Sequence, residues 1–293
     1  MIPPEIQLGE AAKAAELVAD RRGSRIWKVE LENSRLLLAL KYATDNTDDQ
    51  GVQASARLLA GREAAVLRHI DKTGYLYASG ETDRGTWVAL SWIDAPTLAQ
   101  RWRTFRETGS TTGMISAAVA TWLASDALKT LHASGWRHGD LQAAHILIPD
   151  NGHACLIDFA LAQGPTGTSI QPDAPYRGAL AHLTAPEMAS QILSTPDMKN
   201  LELSFAAEVY TFGAVLFAAW TKQWPRDYQA DPRELSLPQI YERICDPDSL
   251  RPLPDGWPSM AKLIGSMLES NPANRPTMAE VHSELTMQVS GRS

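Results

Sequence analysis

Cysteine is scarce in this chain, which has two, Cys155 and Cys245, among 293 residues. Two thiols cannot build a disulfide framework or a cysteine-rich zinc site, so both classes of small stabilised domain are excluded. No apolar run approaches the roughly 20 residues that a membrane-spanning helix needs. We therefore expect no membrane partner.

Positive charge is also in deficit. The chain has 27 Lys and Arg against 34 Asp and Glu, a formal net charge of −7. Non-specific nucleic-acid binding needs a basic surface, so we expect no nucleic-acid partner. The start of the chain lacks the basic-then-apolar pattern of a secretory signal. These features are typical of a cytoplasmic globular protein.

Apolar patterning predicts a β-rich first part and a helical remainder. Residues 1–16 predict a helix or an arm, and from about residue 97 helical patterns dominate, including one long buried helix over 113–134. Strand and turn signals predict strands at 16–19, 25–31, 35–43, 74–79 and 86–92, and apolar residues at helical spacing predict a helix over 52–71. The fold class is therefore α+β, with a small β-rich lobe and a larger helical lobe.

Two aspartates follow apolar segments in the second half of the chain. Asp140 lies in the loop His-Gly-Asp-Leu-Gln at 138–142, and Asp158 ends the apolar approach Leu-Ile-Asp. A pair of carboxylates on neighbouring loops favours metal-assisted phosphoryl transfer, in which one orients the acceptor hydroxyl and the other holds Mg²⁺. The alternative is that each aspartate only caps a turn.

These two segments resemble the H-R-D and D-F-G motifs of protein kinases. Further resemblances follow in the family's order: Ala-Pro-Glu at 185–187, Glu-Val-Tyr-Thr-Phe-Gly at 208–213 and Asn-Pro-Ala-Asn-Arg-Pro-Thr at 271–277. The resemblance covers nearly the whole chain. It implies a two-lobed protein-kinase-like fold, with residues 1–92 as the N-lobe and 93–293 as the C-lobe, and a buried ion pair between Arg275 and Glu187.

The same resemblance assigns candidate residues for ATP. Leu-Ala-Leu-Lys at 38–41 resembles the family's V-A-I-K, which makes Lys41 the cation for the α- and β-phosphates and Glu63 its carboxylate partner. Asp158 would hold the metal, so we expect the Lys41 ammonium near the acids at 63 and 158. The alternative is a strand lysine that reaches solvent. The residues implied around the adenine are Ile26, Ala39 and Leu147, with the backbone of Leu90, Ser91 and Trp92 at its edge.

Three departures from the family pattern qualify this reading. The glycine-rich loop is reduced to Gly23, so Arg21, Arg22 or Arg25 either supplies charge to the phosphates or is a solvated hairpin residue. His145 replaces the metal-binding Asn. It either binds metal, Mn²⁺ better than Mg²⁺, or hydrogen-bonds Asp140 and leaves a metal on Asp158, or the site is impaired. We favour the hydrogen bond.

The third departure is in the catalytic loop, where Gly139 replaces Arg and Gln142 replaces the Lys of Ser/Thr kinases. Small-molecule kinases related to aminoglycoside phosphotransferases also carry His-Gly-Asp.

The predicted function is ATP-dependent transfer of the γ-phosphoryl to a Ser/Thr hydroxyl of a protein or peptide. One specific form is a precursor peptide, as in lanthipeptide synthetases. Two alternatives stay open: a small-molecule hydroxyl kinase, and a pseudokinase that binds nucleotide or a partner. An exposed tryptophan at 220 or 224 would mark a surface for a partner protein on the C-lobe.

Overall fold

The structure is a computed structural model that describes residues 2–21, 23–44, 55–70, 74–197 and 199–291. Its strands are β1 Ala12–Arg21, β2 Ser24–Leu31, β3 Leu37–Ala43, β4 Leu76–Thr82, β5 Gly85–Ser91, β6 Ile146–Leu147 and β7 Cys155–Leu156. Its α-helices are α1 Ala56–Ile70, α2 Leu98–Thr108, α3 Thr111–Ala133, α4 Pro186–Ser194, α5 Phe205–Thr221, α6 Leu237–Cys245, α7 Pro258–Met267 and α8 Met278–Ser290. The predicted α+β class is confirmed.

The described residues form two compact units. The first extends to Asp94 and also includes Asp158–Leu161 and Thr166–Pro175. The second contains Ala95–Ile157, Ala162–Pro165 and the chain from Tyr176 onwards. The lobe boundary at residues 92 and 93 stays a prediction about how the domain is organised.

An antiparallel sheet with strand order β1-β2-β3-β5-β4 builds the first unit. The sequence predicts five strands here, but the first is longer than expected, because residues 12–16 belong to the segment 1–16 that predicts a helix or an arm. Ala14 and Glu16 instead pair with Glu30 and Lys28 of β2. Cross-strand pairing decides this segment, since the helix propensity of Ala and Glu is a weak preference that tertiary contacts override.

Side chains along β2 and β3 point alternately to the two faces of the sheet, and the residues of one face are fully buried. Trp27, Val29, Leu38 and Leu40 are buried in one apolar cluster, which Leu8 from the N-terminal segment also joins. Burial of each large apolar side chain contributes about 1.5–3 kcal/mol. Alternate residues on the same strands point to the opposite face, where α1 packs on β3, β4 and β5.

Helix α3 packs against α2 and α8 in the second unit. The Ser110 hydroxyl caps it by accepting a hydrogen bond from the Gly113 N–H at 3.2 Å. A Cβ at Gly113 would lie 2.5 Å from the backbone nitrogen of Phe105, so only glycine allows α2 to approach this closely. The predicted helix over 113–134 is thus confirmed, with its start two residues earlier.

Neither tryptophan proposed as a partner surface is freely exposed. Trp220 is 6% exposed and packs against Trp102 and Phe105, with ring centroids 6.0 and 5.8 Å away. Trp220 therefore does not meet the condition for a partner surface, because it faces the aromatic core between α2 and α5. Trp224 is half-buried and stacks on His182, with ring centroids 4.5 Å apart.

The predicted ion pair between Arg275 and Glu187 is confirmed. Both guanidinium Nη atoms donate to the carboxylate, at 2.6 and 2.8 Å. The same guanidinium donates to the backbone carbonyls of Glu269, Ala206 and Ser270. The Arg275 side chain is 0% exposed. Its hydrogen bonds link the start of α4 to α5 and to the segment before α8.

We expect Arg275→Leu to lower the free energy of unfolding by about 3–5 kcal/mol, because it leaves the Glu187 carboxylate and three carbonyl groups without a donor. Urea unfolding followed by tryptophan fluorescence measures this loss. Arg233→Leu is the matched control, since Arg233 pairs with Asp231 on the surface with 88% of its side chain exposed. Equal midpoints for both variants would contradict the prediction.

Candidate active site

Lys41 lies in a cluster of charged side chains within the first unit. Its Nζ donates to Glu63 Oε2 at 3.0 Å and to Asp158 Oδ1 at 3.2 Å. Glu63 belongs to α1, on a buried face of the helix that it shares with Ala60 and Leu67. The sequence predicted that the ammonium of residue 41 lies near the acids at 63 and 158, and the contacts confirm it.

The electrostatics of this cluster fix the charge of Lys41. Burial alone lowers the pKa of Lys41, but the carboxylates of Glu63 and Asp158 outweigh it, so the pKa is raised and the ammonium stays charged. Burial raises the pKa of Glu63, and the Lys41 ammonium and a backbone hydrogen bond from Phe159 oppose that rise. The cluster therefore offers a permanent cation beside two acids.

Asp158 adopts an unusual backbone conformation. Its φ is 66°, in the left-handed region that residues with a Cβ seldom adopt, at a cost of about 1–3 kcal/mol. Ala160 replaces the glycine of the family motif but is not among the described residues with positive φ. The strain is therefore at the acid, where it directs the carboxylate to Lys41, and alanine at 160 carries no backbone penalty.

Three of the residues predicted around adenine share a face of the sheet with Lys41. Ile26 lies directly opposite Lys41, and Leu90 lies opposite Ala39, two residues before Lys41 on β3. Directly opposed residues, and residues two apart on one strand, point to the same side. Ile26, Ala39 and Leu90 therefore form an apolar surface beside the ammonium.

The N–H groups of Ser91 and Trp92 are used within the sheet, so the predicted contact of this backbone with the adenine edge stays a prediction for its carbonyl groups. The Ser91 N–H donates to Tyr75 O and the Trp92 N–H donates to Leu37 O, both at 2.8 Å. These donors extend the sheet by one residue on each side, so they do not face a ligand. The Trp92 ring instead stacks under the Lys28 ammonium, 4.8 Å from its centroid.

A tight hairpin stands where the family has its glycine-rich loop. Arg21 pairs with Ser24, and Gly23 has a positive φ of 74°, which glycine adopts without strain. Arg25 forms an ion pair with Asp20 at 3.3 Å. This pairing supports the solvated-hairpin reading for Arg25, while Arg22 lies outside the described residues.

His138 braces the loop that carries Asp140. It is fully buried, its Nε2 contacts Ile157 O at 2.9 Å, and its Nδ1 accepts from the Asp140 N–H at 3.3 Å. Burial lowers the pKa of His138, consistent with a neutral ring that donates through Nε2. This ring has a structural role, because it holds the backbone of the Asp140 loop against Ile157.

The Asp140 carboxylate contacts two residues of its own loop. Gln142 Nε2 donates to Oδ1 at 2.7 Å, and His145 Nδ1 lies 3.7 Å from Oδ2. The shorter contact of His145 is with the Asp140 backbone carbonyl, at 2.8 Å. The favoured hydrogen bond between these residues is present, but its acceptor is the main chain rather than the carboxylate.

Leu147 lies in β6 within the second unit. It pairs with Cys155 of β7 and forms an isolated bridge to Thr97. Its side chain is half-buried, whereas the preceding Ile146 is fully buried. The short hairpin fixes the backbone that follows the Asp140 loop.

Residues 23–285 match the protein kinase domain family. The chain belongs to this family. The kinase domain is 27% identical over 208 residues to the serine/threonine-protein kinase AfsK of Streptomyces coelicolor, which covers 70% of the chain and 23% of AfsK. It is 27% identical over 238 residues to the probable serine/threonine-protein kinase PkwA of Thermomonospora curvata, covering 80% of the chain and 29% of PkwA.

A plant relative extends the similarity. The kinase domain is 26% identical over 253 residues to the mitogen-activated protein kinase kinase kinase YODA of Arabidopsis thaliana, covering 84% of the chain and 26% of YODA. The chain thus spans about a quarter of the length of these curated relatives. Across the described part of the chain, no helix combines the length and apolarity that crossing a membrane requires.

Glu208 of α5 anchors the backbone of the loop that carries Asp140. Its carboxylate is buried and accepts from the backbone N–H groups of His138 and Gly139, at 3.0 and 2.8 Å, and contacts His132 Nε2 at 2.8 Å. Burial alone raises the pKa of Glu208, but these hydrogen bonds outweigh it and lower the pKa below 4.5. Sequence reasoning noted this residue only as part of a motif.

The lowered pKa of Glu208 makes the stability of the second unit depend on pH. The ionised carboxylate stabilises the fold above about pH 4.5, the value of the unfolded chain, and this contribution is lost as pH falls through the folded pKa. We expect Glu208→Gln to cost about 2 kcal/mol at pH 7 and less at pH 4. Urea midpoints of both proteins at the two pH values test this, and a constant difference would contradict it.

Tyr176 is a second contact of the Asp140 loop that the sequence did not indicate. Its hydroxyl donates to Gly139 O at 3.0 Å, and the side chain is buried. The next residue, Arg177, is also buried and donates to the carbonyls of Ile192 and Thr195. The Tyr176 hydroxyl and the main-chain contacts of Arg177 therefore hold this part of the chain in place, next to Gly139, which replaces the family's Arg.

Proposed function

We propose that this kinase domain transfers the γ-phosphoryl of ATP to a Ser/Thr hydroxyl of a protein or peptide. The observation that carries the proposal is the set of contacts among Lys41, Glu63 and Asp158, with the strained backbone at Asp158. A fold that needed only a buried ion pair would not also require an acid in the left-handed region.

Each residue has a defined role in the proposed reaction. Lys41, held by Glu63, contacts the α- and β-phosphates. Asp140 orients the acceptor hydroxyl and takes its proton as the hydroxyl oxygen bonds to the γ-phosphorus. The bond from that phosphorus to the β-phosphate oxygen breaks, and ADP leaves with the electron pair. The protein contributes placement and charge, since phosphoryl transfer involves little covalent chemistry on the enzyme.

The Asp158 carboxylate suits Mg²⁺, the metal that the family uses. Asp158 offers a hard carboxylate oxygen with 34% of its side chain exposed, the ligand type that Mg²⁺ prefers. Mg²⁺ bound there would neutralise charge on the phosphate oxygens. His145 is the second residue that we propose for metal, and its imidazole suits Mn²⁺ better than Mg²⁺.

The relatives favour a protein acceptor. AfsK and PkwA are named as serine/threonine-protein kinases. A precursor peptide, as for kinase components of lanthipeptide synthetases, is one form of such an acceptor. Gly139 and Gln142 favour the second candidate, a small-molecule hydroxyl kinase, because both depart from the Ser/Thr kinase loop. We propose the cytoplasm as the location.

Incubation of the full chain with γ-labelled ATP separates these acceptors. One reaction contains a Ser/Thr peptide library with Mg²⁺ or Mn²⁺, and a parallel reaction contains a panel of aminoglycosides. The proposal predicts label on peptide hydroxyls, located by mass spectrometry. Label on an aminoglycoside would favour the second candidate, and no label on either would favour a pseudokinase that binds nucleotide or a partner.

A further inference from the structure

Gln142 holds the carboxylate that the proposed reaction uses. Its Nε2 donates to Asp140 Oδ1 at 2.7 Å, a short distance for an amide donor. Both side chains are half-buried, so water competes only partly for this hydrogen bond. The residue lies two positions after Asp140 on the same loop, and its amide bonds to a reacting group rather than to the main chain.

The amide has two properties that matter for this role. It donates a hydrogen bond without carrying a charge, and it cannot lose its proton at any physiological pH. An ammonium at the same position would also donate a hydrogen bond to the carboxylate, and it would add a charge. The neutral donor fixes one oxygen and leaves the other to accept a proton.

We propose that Gln142 is a positioning residue that fixes Oδ1 of Asp140 and so presents Oδ2 to the acceptor hydroxyl. This inference rests on the proposed function, because it assumes that Asp140 accepts the proton. The backbone of Asp140 is already fixed, since its N–H donates to His138 Nδ1 and its carbonyl contacts His145 Nδ1. The remaining freedom is rotation of the carboxylate, and the Gln142 amide removes it.

The matched control for this position is Gln288 on α8. Its Nε2 also donates to a carboxylate, Glu284 Oε1, at 3.1 Å, and both residues are likewise half-buried, on the last helix. Gln288→Ala removes the same kind of hydrogen bond where no reaction is proposed. Its kcat is expected to equal that of the wild type.

The test compares kcat and KM in the full chain, with ATP and a peptide from the Ser/Thr library that the wild type phosphorylates. Gln142→Ala is expected to lower kcat by roughly 10- to 100-fold with an unchanged KM for ATP, because the lost hydrogen bond positions only the reacting carboxylate. Gln142→Lys, which restores a donor, is expected to recover most of kcat. Gln142→Glu, similar in shape but repelling Asp140, is expected to be as slow as the alanine variant.

The outcomes separate this inference from the proposed function. Unchanged kcat in Gln142→Ala beside an inactive Asp140→Asn would overturn the inference alone. Equal losses in Gln142→Ala and Gln142→Lys, with thermal midpoints equal to the wild type, would also overturn it. An Asp140→Asn variant as active as the wild type would contradict the proposed function, and this inference with it.

Discussion

Asp140→Asn is expected to lower the rate of phosphoryl transfer by roughly 10²- to 10⁴-fold while nucleotide binding stays nearly intact. The amide keeps the shape of the side chain but cannot accept the proton of the acceptor hydroxyl. Because this substitution leaves Lys41, Glu63 and Asp158 in place, the affinity for ATP should change little. Steady-state transfer of labelled phosphate to peptide, together with an ATP titration, measures both quantities.

Asp150→Asn is the matched control for this prediction. Asp150 lies in the same unit, and its side chain is 92% exposed beside Arg101. Loss of its charge should leave turnover unchanged. Wild-type turnover in Asp140→Asn would remove this residue from the mechanism.

Lys41→Met is expected to remove activity and also to destabilise the first unit. The substitution takes away the cation proposed for the phosphates, and charge stabilisation of this kind is worth roughly 10²- to 10³-fold in turnover. It also leaves the Glu63 carboxylate, 2% exposed, without its cation. Removal of one partner of a buried pair costs about 3–5 kcal/mol.

A double variant separates these two effects. Lys41→Met with Glu63→Gln removes the unpaired buried charge, so we expect it to regain much of the stability but none of the activity. Urea midpoints measure the stability of each variant, and transfer of labelled phosphate to peptide measures its activity. Lys13→Met is the control, since Lys13 pairs with Glu30 at 2.8 Å on the exposed strand β1. Recovery of turnover in the double variant would contradict the proposed role of Lys41.

The fold was predictable where a periodic pattern and a burial requirement agree. Strand β2 alternates buried and half-buried residues from Trp27 to Leu31, and its apolar letters show this alternation. The segment Ala12–Glu16 was not predictable, because its Ala-rich composition favours a helix and only pairing with β2 makes it a strand. The sequence shows the local preference of this segment for a helix, but it does not show that β2 is available as a pairing strand.

The candidate site was also predictable only in part from the sequence. The motifs located Lys41, Glu63 and Asp158, and the contacts among these three agree with that prediction. Contacts that depend on loop geometry were not accessible from sequence. The carbonyl that His145 contacts and the hydrogen bonds of the Trp92 N–H depend on backbone direction, which residue types alone do not specify.

Equilibrium titration of the full chain with ATP, in the presence and absence of Mg²⁺ or Mn²⁺, tests the central claim most directly. The account predicts saturable ATP binding that strengthens with the cation and is lost in Lys41→Met, accompanied by a rise in thermal midpoint. The absence of ATP binding with either cation, in a folded wild-type protein, would contradict it.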